Sequence, residues 1–229
     1  VPRYDAVLID LDETLFDFRR AGHEALEASF RAAGLILTDG WYRLYYATNA
    51  ELWREVEEGR TSVTALRVER FRRYFSRLGL AIEPAAFAAG YEERILSVTY
   101  HIEGAVEAVR EIAGMAEIVL ITNGISHVQR ARINRSPIAH MIRAVVVSEE
   151  AGVSKPDPGI FSLAAGCTAC TDRSRMLMIG DSLASDIAGG VAFGIDTCWF
   201  NPAGSSATDQ VRPRYEVRQL ADLPAIVRG

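Results

Sequence analysis

Short, continuous apolar runs that stop abruptly at polar residues alternate along this chain with stretches of helical spacing. Ala6-Val7-Leu8-Ile9 ends at Asp10, Ile118-Val119-Leu120-Ile121 ends at Thr122-Asn123-Gly124, and Met176-Leu177-Met178-Ile179 ends at Gly180-Asp181. Ala144 to Val147 and Cys198-Trp199-Phe200 are two further runs. Unbroken apolar runs, in place of strict alternation, suit strands covered by helices on both faces. The pattern therefore predicts an α/β protein built on a parallel sheet. Between Asp17 and Val98 no strand-like run occurs. Leu52 and Val56 lie i,i+4 there, and Phe71, Phe75 and Leu78 repeat at i,i+4 and i,i+3, with Glu51, Arg54, Glu55, Glu58, Arg72 and Arg73 on the polar faces. Gly34, Gly40, Gly59 and Gly79 are placed to terminate those helices. Residues 17–98 are expected to form a smaller helical domain inserted after the first strand, joined by two chain crossings to a core of 1–16 and 99–229. Asn201 to Thr208, rich in Ser, Ala and Gly, reads as a surface loop.

Composition narrows the function classes. With 229 residues, 49% hydrophobic and 24% charged, the chain can bury a substantial core. A net charge of -5 disfavours a broad phosphate-backbone surface, so no nucleic acid polymer is expected as partner. No apolar stretch approaches the roughly 20 residues of a membrane helix, and no signal-peptide layout precedes the first apolar run, so no membrane partner and a cytoplasmic location are expected. The three cysteines cannot form a disulfide framework. Cys167 and Cys170 make one CxxC pair without a second, and unpaired thiols near a helix end are expected. His23, His101, His127 and His140 are scattered and read as structural or surface residues. Gly189, Gly190 and Gly194 lack dinucleotide-fingerprint spacing and are expected to permit close packing.

Candidate chemistry sits where the runs stop. In open parallel sheets ligands bind outside the carboxyl ends of the strands, and the residues found there are mostly carboxylates: Asp10 and Asp12 after one run, Asp181 after another. Two carboxylates about 4 Å apart repel by about 4 kcal/mol at an effective dielectric near 20, so gathering several requires compensation. A divalent cation would supply it, and an oxygen-only donor set suits Mg2+, whereas zinc favours His or Cys. Any one of these aspartates alone could equally cap a helix or form a turn. Thr122 and Asn123 could cap the next helix or bind a phosphate at its N-terminus. Lys155 precedes Pro156 and Pro158, which favour a helix start soon afterwards.

Taken in order, Asp10-Leu11-Asp12-Glu13-Thr14, Ile121-Thr122-Asn123-Gly124, Ser154-Lys155-Pro156-Asp157 and Gly180-Asp181-Ser182-Leu183-Ala184-Ser185-Asp186 resemble the four motifs of the haloacid dehalogenase superfamily of phosphohydrolases. The resemblance covers nearly the whole chain and implies a Rossmann-like parallel-sheet core with a helical cap. It implies that Asp10 attacks phosphorus to form an aspartyl-phosphate, and that Asp12 is the general acid for the leaving alcohol and then the general base for water. It implies Mg2+ as cofactor, held by Asp10, Asp12 through its backbone carbonyl, and Asp181, with Asp186 a more distant ligand or a partner of Lys155. Thr122, the Asn123 amide and Lys155 would hold phosphoryl oxygens. The superfamily's dehalogenases lack an aspartate at the position of Asp12, because a halide leaving group needs no proton. The commonest first motif has Gly where this chain has Glu13.

The finer resemblance is to the pyrimidine 5'-nucleotidase branch. It rests on Asp10 to Phe16, Asn49-Ala50-Glu51-Leu52-Trp53, Gly59 with Arg70-Phe71, Ser148 to Val153, and Asp196 to Asn201. Phe71 is expected in the core of the helical domain. Phe16, Asp17, Arg20, Asn49 and Trp53 are candidates for the substrate-facing part of the cap and its hinge. The resemblance implies a small phosphorylated metabolite as partner, with the protein a monomer or homodimer. The alternative is a sugar-phosphate phosphatase of the sialic acid 9-phosphate or phosphoglycolate type, and a noncatalytic binding protein on the same scaffold is a third reading.

Overall fold

Each apolar run becomes a strand of one parallel sheet. In the computed structural model, which describes residues 1–206 and 211–229, the strands are β1 (Ala6–Ile9), β2 (Glu117–Thr122), β3 (Ala144–Val147), β4 (Met176–Gly180), β5 (Asp196–Phe200) and β6 (Tyr215–Val217). Their order is β3-β2-β1-β4-β5-β6, every pairing parallel. Strand β6 has no apolar run behind it. Within the sheet, side chains alternate between two helix-covered faces, most deeply buried in the central strands β1, β2 and β4. Val7, Ile9, Ile118, Leu120, Leu177 and Ile179 pack on one side with α5 (Ala105–Ala113) and α10 (Leu223–Arg228). Ala6, Leu8, Val119, Ile121, Met176 and Met178 pack on the other with α8 (Pro158–Gly166) and Phe193 of α9 (Ala188–Phe193). The close packing expected of the glycines occurs at Gly189, where an added Cβ would lie 2.3 Å from Phe161.

The described residues divide into two compact units, 1–17 with 101–229, and 18–100. The second unit is wholly helical: α1 (Phe18–Ala32), α2 (Asp39–Glu57), α3 (Val63–Leu78) and α4 (Pro84–Ser97). Thr38 and Ser62 cap α2 and α3 by accepting from Trp41 N and Ala65 N, satisfying donors at the helix starts. Gly34, Gly59 and Gly79 follow helix ends with positive φ. Gly40 does not terminate a helix: it lies in the first turn of α2, because Thr38 starts that helix earlier than the glycine suggested. The core of this unit is aromatic. Phe71 is fully buried, stacked on Tyr45 at 5.6 Å between ring centroids and tilted against Phe87 at 5.1 Å.

The expected loop from Asn201 runs into residues 207–210, which lie outside the described residues. No helix among the described residues is long and apolar enough to cross a membrane. All three cysteines are free: Cys167 and Cys170 are half-buried near the end of α8, and Cys198 is buried in β5. Burial pushes the Cys198 thiol up to about 12, and the thiolate is the reactive form. A disulfide reagent at pH 8 is therefore expected to titrate two thiols in the native protein and the third only after denaturation. Three fast thiols would contradict the placement of Cys198.

Candidate active site

Parallel pairing in register brings the strand ends together. Ile9 is level with Leu120 of β2 and Ile179 of β4, so Asp10, Thr122 and Asp181 emerge on the same edge of the sheet. Asp10 is anchored by its own N–H, which donates to Ile179 O at 2.9 Å. Between β4 and α9 the chain makes a single π-helical turn, Leu183–Ile187, which carries Asp186 back under β4. The absence of a side chain at Gly180 makes room for it: a Cβ there would lie 2.2 Å from Asp186 Oδ2.

The centre of the site is one buried lysine between two buried carboxylates. Lys155 Nζ donates to Asp10 Oδ1 at 2.5 Å, to Asp186 Oδ1 at 2.6 Å and to Ile121 O at 2.9 Å, and its side chain is only 2% exposed. Burial opposes charge on Lys155, but the Asp10 and Asp186 carboxylates outweigh it and hold the ammonium well above its ordinary range. Asn123 fixes the loop after α7 (Ser148–Ala151) that carries this lysine. Its side chain accepts from Lys155 N and donates to Lys155 O, both at 2.9 Å. Asp186 Oδ2 accepts from Ser182 N at 3.0 Å, while the Asp181 backbone and carboxylate both engage the Thr14 hydroxyl, at 3.1 and 3.2 Å.

One lysine does not balance this group. Asp10, Asp181 and Asp186 each bring a carboxylate oxygen to within 4.8 Å of the others. Burial holds Asp10 well above the usual carboxylate range, with Lys155 opposing and the charges on Asp186 and Asp181 adding to it. Burial, reinforced by Asp186, pushes Asp181 up to about 6. Three crowded hard-oxygen donors, with the ionised forms of Asp10 and Asp181 penalised, fit a divalent cation such as Mg2+, which would relieve the repulsion.

The Asp12 carboxylate is held elsewhere, by two residues that sequence reasoning missed. Arg132 Nη1 donates to Asp12 Oδ1 at 2.6 Å, and Gln129 Nε2 donates to Oδ2 at 2.8 Å. Both lie on α6 (Ser126–Arg135), a helix of largely polar composition. A polar helix reads as a solvated face, and only the i,i+3 spacing directly after Thr122-Asn123-Gly124 hinted otherwise. Glu13 has φ 64, the left-handed region that favours glycine, which accounts for the glycine usual at that place in the first motif.

Thr122 and Asn123 do not cap α6, whose N-cap is Ile125. The Thr122 hydroxyl is buried and accepts from Gln129 at 2.9 Å. The Asn123 side chain is committed to the Lys155 backbone. Phe16 is a correction: its side chain is fully buried, edge-on to His101 at 5.1 Å, because it closes the core beside β1 and presents no surface to a substrate. Asp17 is half-buried at the end of the first segment of the α/β unit. Arg20 belongs to the helical unit, its guanidinium 3.8 Å from the Tyr100 ring centroid and paired with Glu24 at 3.3 Å. Asn49 and Trp53 are half-buried on α2, and Asn49 Oδ1 is buried without a hydrogen-bond partner among the described residues.

Comparison with known proteins accords with this geometry. The model of the haloacid dehalogenase-like hydrolase family matches residues 4–194. The pyrimidine 5'-nucleotidase YjjG of Escherichia coli is 32% identical over 225 residues, 98% of each chain. The pyrimidine 5'-nucleotidase PynA of Streptococcus pneumoniae is 31% identical over 221 residues, 96% of this chain and 93% of its own. Among solved structures, the HAD-hydrolase YfnB of Bacillus subtilis bound to magnesium superposes with a TM-score of 0.91 at 30% identity, covering 99% of this chain and 100% of that one. A family match across most of the chain, joined to a parallel sheet whose carboxyl edge gathers Asp10, Lys155, Asp181 and Asp186, establishes that the chain belongs to the haloacid dehalogenase-like hydrolases.

Proposed function

We propose that the protein is a Mg2+-dependent phosphohydrolase that releases phosphate from pyrimidine nucleoside monophosphates through an aspartyl-phosphate on Asp10. The observation that carries the chemistry is the buried cluster in which Lys155 joins Asp10 to Asp186 beside Asp181, with Asp12 two residues from Asp10 on the same sheet edge. The similarity to two pyrimidine 5'-nucleotidases over almost the whole chain supports the substrate class.

In this reading an Asp10 carboxylate oxygen attacks phosphorus as the bond to the leaving oxygen breaks, and Asp12 delivers a proton to that oxygen. Water then attacks the aspartyl-phosphate, Asp12 takes its proton, the bond between phosphorus and the Asp10 oxygen breaks, and phosphate departs. Lys155 stays charged throughout and draws negative charge from Asp10 and the transferring group. Asp10, the Asp12 backbone carbonyl and Asp181 would hold Mg2+, with Asp186 behind them. Bound there, the ion would neutralise the carboxylates and the phosphoryl oxygens, the usual need of phosphoryl transfer.

The test is phosphate release with Mg2+ from matched panels of nucleoside monophosphates and sugar phosphates. Uridine, deoxyuridine and thymidine monophosphates are expected to turn over with kcat/KM at least about tenfold above the sugar phosphates, a margin worth about 1.4 kcal/mol. A preference for a sugar phosphate would keep the hydrolytic mechanism and discard the nucleotidase reading. Alanine at Asn49 and at Trp53 is expected to change the ranking of substrates, and an unchanged ranking removes both from the specificity assignment.

A further inference from the structure

Two buried side chains of the α/β unit have no part in the reaction as written: Gln129 and Arg132, one turn apart on α6. Arg132 has no exposed surface and Gln129 is 2% exposed. Burying a guanidinium is costly unless it is paired and hydrogen-bonded, and the pairing here is directed at Asp12, whose side chain is 26% exposed. Each Asp12 oxygen has its own donor, Arg132 Nη1 at 2.6 Å for Oδ1 and Gln129 Nε2 at 2.8 Å for Oδ2.

The donors are fixed in turn. Arg132 Nη1 also donates to Gln129 Oε1 at 2.9 Å, and Gln129 Nε2 also donates to Thr122 Oγ1 at 2.9 Å. The guanidinium carbon lies 5.1 Å from the centroid of the Phe16 ring, and the Phe16 backbone bridges to that of Asp12. Gly124 leaves the space that the glutamine amide occupies, since a Cβ there would lie 2.8 Å from Gln129 Nε2. A pair serving only the core would bury both partners. In this one the donors are buried and the carboxylate faces outward, so a solvent-facing group is gripped from behind.

We infer that Gln129 and Arg132 are positioning residues that fix the Asp12 carboxylate for its part in cleaving phosphate esters of poorly leaving alcohols. The inference rests on the hydrolytic reading above. Orientation of a proton-transfer group is worth a large factor in rate only where a proton must move. An alkoxide cannot depart without one, whereas a nitrophenolate can. Misplacing Asp12 therefore slows the two classes of ester unequally.

The experiment measures leaving-group departure in single turnovers, with the full chain in excess and Mg2+ present. It compares the alkyl phosphate turned over best in the panel above with p-nitrophenyl phosphate. Arg132→Met is expected to slow departure of the alcohol about 100-fold and of nitrophenolate less than about tenfold, with KM for the alkyl ester within about twofold. Arg132→Lys keeps a donor for Asp12 and is expected to recover part of the loss. In an Asp12→Ala background, Arg132→Met is expected to cost nothing further on the alkyl ester. Gln129→Met, which removes one neutral donor from Asp12, the donor to Thr122 and an acceptor of Arg132 while leaving the charged donor in place, is expected to give the same inequality on a smaller scale, and it carries the test if Arg132→Met does not fold. Parallel losses on both esters, or a further loss in the Asp12→Ala background, would overturn the positioning role while leaving the hydrolase intact. A wild type that releases neither leaving group would overturn the hydrolytic reading and this inference together.

Discussion

Asp10→Asn is expected to abolish phosphate release, by about 10^4-fold or more, without unfolding the protein. Removing a nucleophile eliminates the covalent route and leaves only what binding and electrostatics supply, and losses of that order follow. The amide keeps the shape of the carboxylate, and Lys155 retains its bond to Asp186 at 2.6 Å. Stability should move in the opposite direction from activity. Burial holds Asp10 above the ordinary carboxylate range, so its contribution to stability is fully present below the unfolded pKa, near 4, and is lost as pH rises through the folded one. At pH 7 without metal, the neutral amide avoids that cost. The urea midpoint of Asp10→Asn is expected at or above that of the wild type. Residual turnover within tenfold of wild type would remove Asp10 from the nucleophile's role, and a much lower midpoint would contradict the electrostatic account.

Lys155→Met should produce the largest loss of stability of any single change in the site. It removes the one cation between Asp10 and Asp186, whose side chains are 9% and 1% exposed. Breaking a buried pair from one side typically costs about 3–5 kcal/mol, because the remaining charge is left without compensation. Denaturant unfolding at pH 7 without metal is the measurement. The deficit should shrink as pH falls toward 4, since Asp10, held above the ordinary carboxylate range by burial, takes up a proton more readily in the folded state. It should also shrink on addition of Mg2+, which replaces part of the missing positive charge. A deficit below about 1 kcal/mol, or one independent of both pH and Mg2+, would mean that the cluster is not held together by charge.

Much of the fold was legible because a buried parallel strand has to be apolar on both faces, and such runs stand out from a helical background. The runs that end at Asp10, Thr122 and Asp181 are β1, β2 and β4. Strand β6 was not legible. It is three residues long at the sheet edge, with only Val217 buried, so no run is required of it. Asp10, Asp12 and Asp181 could be found because they stand beside strand ends, where polar residues are conspicuous, whereas Lys155 and Asp186, well past the ends of β3 and β4, were found only through the motifs that resemble the superfamily's. Gln129 and Arg132 could not, because a buried arginine on a polar helix is identical in sequence to a solvated one until its carboxylate partner is located in space. Phe16 is the converse case: named among the candidates for the substrate-facing part of the cap and its hinge, it turns its ring into the core.

The placement of β1 in the middle of the sheet bears on how a ribosome delivers this protein. The strand that leads to Asp10 is synthesised before both of its neighbours, since Ala6 pairs with Glu117 on one side and Met176 on the other. At about 5–20 residues per second, on the order of ten seconds or more separates the emergence of β1 from that of β4. Throughout that interval the helical segment can bury its own aromatic cluster, while β1 waits with both edges open. Open apolar edges recruit other chains when they are long. Four residues, Ala6–Ile9, offer little to recruit with, so the brevity of the central strand also protects the nascent chain.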